Sequence, residues 1–144
     1  MLIKLSGGKV YDPANKVSGE VRDIYVEDGK IVATKQGARA DETYDLKGRI
    51  VMAGAIDPHT HIGGGKMTIA RMLMPEDHLK DEVQRTELTR AGTGHAVPST
   101  MITGYRYAEM GYTACFEPAM LPANARQAHM EMGDTPMVDK GAFA

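Results

Sequence analysis

Apolar positions in the first 49 residues come in short bursts between polar ones, the pattern of half-buried strands. Residues 2–5 read as one strand, and residues 23–26 and 30–33 as two more, joined through Glu27-Asp28-Gly29. Asp-Gly between β-rich runs predicts a hairpin, because glycine tolerates the positive φ that primed turns require. A further short strand leads to Leu46, with a turn at Lys47-Gly48. Residues 1–49 are therefore expected to form a small all-β domain, a partial, β-sandwich-like sheet rather than a barrel.

The texture changes after Arg49. Residues 50–56, IVMAGAI, are continuously apolar, as expected of a strand buried on both faces. Residues 62–98 contain glycine at 63, 64, 65, 92 and 94 and are expected to be a long loop on the catalytic face. Loops of this length are uncommon unless they work as lids or docking surfaces. Inside the segment, residues 75–90 are polar and read as an exposed helix. Pro75 suits its first turn, and Glu76/Lys80 and Asp81/Arg85 stand four apart in the favourable order. A clearer helix follows. Ser99 or Thr100 caps it, Met101, Ile102, Tyr105 and Ala108 are expected to line one face, and Gly111 stops it. Residues 112–116 then read as a strand, 122–132 as a helix ended by Gly133, and 136–138 as the start of a third strand.

This alternation predicts βαβ units and a parallel sheet. A closed barrel of such units needs eight strands and roughly 250 residues, and a sheet of two or three strands leaves unpaired edges. The expected fold class is thus α/β: an incomplete TIM-type (β/α)8 barrel over residues 50–144, preceded by the small all-β domain. The chain is expected to be part of a longer protein, or half of a split one.

Composition narrows the function classes. The 144 residues carry a formal charge of −2, with 42% hydrophobic and 25% charged residues. Nucleic acid is not an expected partner, since there is no basic excess to release counterions from phosphates. No apolar run approaches the ~20 residues that span a bilayer, and the N-terminus lacks the pattern of a secretion signal. One cysteine, Cys115, rules out an internal disulfide framework. A soluble, cytoplasmic protein is the expectation. The eleven methionines suit adaptable packing.

The candidate chemistry sits in AIDPHTHIGGGK, residues 55–66. Residues i and i+2 of a strand face the same side, so His59 and His61 are expected to aim both rings into one space while Thr60 points away. Their Cβ atoms would lie about 6.6 Å apart, from which two imidazoles can converge on one ion at about 2.0–2.1 Å. The alternative is two surface histidines in a glycine-rich turn. Asp57 could orient a ligand histidine or cap the strand end. Lys66 could meet an anionic substrate or be solvated. His95 stands in the long loop, where it could contact substrate. Glu117 ends a strand on the same rim and could support the site or cap a helix. His78 and His129 read as exposed helix residues, Cys115 as a small core residue, and Tyr105 and Tyr107 as packing.

Asp57, His59 and His61 in "IDPHTH", preceded by "DGKI" and a "GR-V" turn, resemble the metal-dependent amidohydrolases, whose first barrel strand ends in Asp-x-His-x-His. Ala53 departs from the proline usual before the glycine. Further along, "PED" at 75–77, "PSTMITGYRYAEMGYT", "FEPAMLPANAR" and "HMEMGDTP" are similar to the A subunits of formylmethanofuran dehydrogenase and of the related formyltransferase/hydrolase complex of methylotrophic bacteria. The resemblance runs over essentially the whole chain. It implies interconversion of an N-formylated aminomethylfuran coenzyme with formate and the free amine in one-carbon metabolism, within a complex of several subunits. It also implies two divalent metal ions, usually zinc, bridged by a carboxylated lysine, with His59 and His61 as ligands. The carboxylated lysine, two further histidines and the catalytic aspartate belong to later strands in the family, and none can be placed here. By itself the 144-residue chain is then expected to be inactive. The alternatives are a cyclic-amide hydrolase of the dihydroorotase or hydantoinase type, and a non-catalytic assembly subunit.

Overall fold

The computed structural model describes residues 1–33, 37–80 (side chains through 77) and 98–144. The chain divides into two compact units, Met1–Ala53 and Gly54–Ala144.

The first unit is a five-stranded sheet built on one long strand. Strands β1 (Leu2–Asp12) and β2 (Val17–Glu27) form an antiparallel hairpin, and β3 (Lys30–Val32) adds to β2. Asp28 and Gly29 both have positive φ, 50° and 78°, which is the primed turn that Asp-Gly predicts. On its other edge β1 is shared: residues 3–6 pair in parallel with β4 (Glu42–Asp45), and residues 9–11 with β5 (Ile50–Met52). Strand β1 continues well past the expected end at Leu5. Gly7, at φ 73°, lies where the β1–β2 register shifts, so the strand passes through a bulge there rather than ending. The described residues of this unit make a single sheet, so no second layer of a sandwich is formed by them.

Residues 50–56 are not one strand. Ile50–Met52 joins the first sheet as β5, and β6 (Ala55–Asp57) begins the second unit. Ile50, Met52 and Ile56 are each more than 60% exposed, so the run is not buried on both faces here. An unbroken apolar run carries no period that would distinguish one doubly buried strand from two short strands in different sheets.

In the second unit, β6, β7 (Tyr112–Glu117) and β8 (Asp139–Ala142) form a three-stranded parallel sheet in that order. Four helices accompany it among the described residues: α1 (Gly65–Leu73), α2 (Pro75–Lys80), α3 (Thr100–Glu109) and α4 (Ala125–Gly133). None is long and apolar enough to cross a membrane. Helix α1 lies where a loop was expected. Its glycines occupy only the cap and first position, with Gly64 at φ 86°, so the helix interior avoids the glycine penalty of about 1 kcal/mol. Helix α2 starts at Pro75 as expected. The remainder of the helix expected over 75–90, with Asp81 and Arg85, falls outside the described residues.

Ser99 caps α3 by accepting the Ile102 N–H at 3.3 Å. The face this helix buries is not the apolar stripe. Thr100, Thr103 and Gly104 are buried, whereas Met101, Ile102 and Tyr105 are 37%, 37% and 48% exposed. The cause is close backbone approach: a Cβ at Gly104 would stand 2.2 Å from the Pro136 carbonyl oxygen, so only small residues fit that side. Residues 136–138 do not yet form a strand. Val138 N–H bonds Pro136 O at 2.9 Å with Met137 at φ 70°, a γ-turn that delays β8 to Asp139. Ile62, Cys115, Met132 and Val138 form the core, with Tyr107, Tyr112 and Ala142 packed against it.

Cys115 is fully buried. Burial, with the Asp57 carboxylate adding to it, pushes its thiol up from 9.0 to about 11. At pH 8 this lowers the thiolate fraction roughly hundredfold, and the thiolate is the nucleophile. Iodoacetamide labelling of the folded protein is expected to be at least that much slower than in urea; equal rates would contradict the buried placement. The unfolded chain's thiol loses its proton first. The associated stability is therefore intact below pH 9 and declines as pH rises towards 11.

Candidate metal-binding site

Strand β6 ends at Asp57, and the next residues leave the sheet while still tied to it: Thr60 N–H bonds Phe116 O at 2.9 Å. His59 is exposed and the His61 side chain is 34% exposed. Their rings meet edge-on with centroids 6.0 Å apart. Thr60 between them is buried, and its hydroxyl is bonded to the Tyr107 hydroxyl.

Each neighbouring candidate has a definite place. Asp57 accepts the backbone N–H of His59 at 3.1 Å through Oδ1, and its Oδ2 accepts the Tyr107 hydroxyl at 3.3 Å. It braces the turn, then, and does not hold an imidazole. Glu117, at the end of β7 and 2% exposed, bonds His61 Nδ1 at 2.7 Å through Oε1. The same oxygen accepts the Ala119 N–H at 3.2 Å. Lys66 is exposed, with Nζ 3.5 Å from His61 Nε2. His129 is exposed on α4, away from these contacts. His95 and the side chain of His78 lie outside the described residues.

Sequence reasoning missed two supports. Tyr107 is half-buried and holds both Asp57 and Thr60. Burial raises its phenol above the ordinary value, and the nearby Asp57 charge adds to this. The second support is a buried group behind the glycines. Glu131 Oε2 accepts the Gly64 N–H at 2.7 Å, while Oε1 accepts the Gln127 Nε2–H at 3.2 Å and the Arg71 Nη1–H at 3.4 Å. These partners lie 47 to 67 residues apart, except Gln127 and Glu131, whose helical spacing of four was the one visible signal.

Neutral imidazoles are zinc-type donors, and here two leave one strand end in mutual contact. Among the described residues no group of three or more His, Cys, Asp or Glu side chains gathers to hold an ion. His59 and His61 therefore fit one side of a metal centre that requires further ligands.

The amidohydrolase family profile matches residues 42–143. Protein FwdA of Methanocaldococcus jannaschii is 46% identical over 139 residues, covering 96% of this chain and 24% of that protein. The Fhc A subunit of the formyltransferase/hydrolase complex of Methylorubrum extorquens is 38% identical over 144 residues, covering 100% and 25%. The X-ray crystal structure of the complex FhcABCD from Methylorubrum extorquens, in complex with methylofuran, superposes with a TM-score of 0.80 at 38% identity, again over 100% of this chain and 25% of its counterpart. The chain thus spans about a quarter of the length of the relatives it matches.

Proposed function

The chain belongs to the amidohydrolase family, and from that premise we propose that its residues serve in the A subunit of a formyl-coenzyme hydrolase. The reaction is amide hydrolysis: an N-formylated aminomethylfuran coenzyme and water give formate and the free amine, or the reverse. The observation that carries this reading is the whole-chain likeness to FwdA and to the Fhc A subunit, combined with two imidazoles in contact at the end of β6. On this reading the second unit is the opening segment of a (β/α)8 barrel, with residues 54–144 contributing its first β/α units and residues 1–53 a partial β-domain. The enzyme is cytoplasmic and works in a complex with other subunits.

His59 and His61 would hold one side of a two-metal centre, most simply zinc, completed by a carboxylated lysine and further ligands. Divalent ions held there would supply Lewis acidity, which activates water and polarises a carbonyl oxygen. The chain's own residues keep the donors in place. Asp57 and Tyr107 brace the turn that carries His59, and Glu117 holds His61. Glu131 ties down the backbone at Gly64, three residues after His61. Lys66, exposed on the same side, is available to an anionic part of the coenzyme.

The test uses the full-length subunit with its partners. Formate release from N-formyl aminomethylfuran is expected, with no turnover of dihydroorotate. The purified 144-residue chain is expected to release none, since two ligands hold an ion poorly and neither can serve as the proton-transferring group. Preference for dihydroorotate would overturn the substrate assignment, and turnover by the short chain would overturn the division of labour.

A further inference from the structure

Glu117 is an ionisable side chain held 2% exposed at the end of β7. Such burial is costly unless the group is hydrogen-bonded. Its Oε1 is used twice, by Ala119 N–H at 3.2 Å and by His61 Nδ1 at 2.7 Å. An oxygen already accepting a backbone proton acts as an acceptor towards the imidazole too, which puts the ring proton on Nδ1. A second contact is compatible with the same tautomer. Lys66 Nζ lies 3.5 Å from Nε2, and an ammonium has only donors, so Nε2 presents its lone pair. The ring is thus held from behind by a buried carboxylate while its other nitrogen stays available on the open side. Lys66 is long and exposed, so it can leave that lone pair when a cation takes it.

We propose that Glu117 is a positioning residue for His61, fixing the Nδ1–H tautomer and the ring orientation so that Nε2 is the metal-ligating atom. The inference rests on His59 and His61 being metal ligands. It goes further by naming the ligating atom of His61 and the group that selects it. A carboxylate behind an imidazole ligand orients the ring and raises its basicity, and losing such a partner costs about 10–100-fold in metal affinity.

The test is Zn²⁺ affinity, read by competition with a chromophoric chelator, in the full-length protein within its complex. Glu117→Leu is expected to weaken binding about 10–100-fold. Glu117→Gln keeps an acceptor oxygen but loses the charge-assisted bond, and its loss is expected to be about three- to tenfold, a partial rescue relative to leucine. Equal losses in both variants would overturn the acceptor role. So would affinities within twofold of wild type, and should the leucine variant not fold, that criterion applies to Glu117→Gln alone. His61→Ala, measured in parallel, separates the two levels. Metal lost there but retained in Glu117→Leu overturns the positioning role and leaves the ligand assignment standing. Metal retained in His61→Ala overturns both.

Discussion

If the proposed function holds, His61→Ala in the full-length protein is expected to strip most of the bound metal and to cut turnover of the proposed formyl coenzyme by more than about 100-fold. The magnitude follows from a lower bound: partners that only orient a metal ligand are worth about 10–100-fold, so removing the ligand itself costs more. His59→Ala is expected to act in the same direction with a smaller loss of metal. The His59 ring is exposed, and among the described residues its side-chain contact is the edge of His61. The His61 ring is already fixed by Glu117 at 2.7 Å, so less ordering entropy remains to be lost when an ion binds. His129→Ala, exposed on α4, serves as the control and is expected to change neither quantity. Elemental analysis and a formate-release assay on the same preparations read both. Unchanged metal content in His59→Ala and His61→Ala together would remove the metal assignment.

Glu131→Ala is expected to be the most damaging substitution for stability, at about 3–5 kcal/mol. Glu131 is 6% exposed and Arg71 9%, so the alanine variant leaves a guanidinium buried without its counter-ion. It also orphans the Gly64 N–H, which Glu131 Oε2 accepts at 2.7 Å. An unsatisfied buried donor adds about 1–3 kcal/mol to such a loss, so the two effects overlap within the range given. The backbone at Gly64 is constrained as well, since its φ of 86° favours glycine and a Cβ there would stand 3.0 Å from Ala128 Cβ. The denaturation midpoint in urea measures the effect. Gln127→Ala, on the exposed side of the same network, is expected to cost under about 1 kcal/mol. Pairing Glu131→Leu with Arg71→Met should recover much of the loss, since an apolar pair replaces a buried ion pair at little cost. A midpoint shift for Glu131→Ala no larger than that of Gln127→Ala would show that the network carries no such weight.

Features read correctly along the chain share a cause: their physics is complete within a few residues. Asp28-Gly29 makes a primed turn because glycine accepts positive φ wherever it stands. Ser99 caps α3 because its hydroxyl reaches an amide three positions on, and Pro75 opens α2 because it has no N–H to lose. The strand–helix alternation behind the parallel sheet is equally local, whereas His59 and His61 stand past the end of β6, outside the strand whose alternation was expected to pair them. What folding alone could decide depended on which distant backbones approach, and how closely. The run at 50–56 divided between two sheets because residues 9–11 claimed its first half. Helix α3 turned its threonines and Gly104 inward because Pro136 O came too near for anything larger. Glu117 reached His61 across 56 residues, and Arg71 reached Glu131 across 60. No local pattern encodes such meetings, because each requires two strands or helices to be set in register before either side chain has a partner.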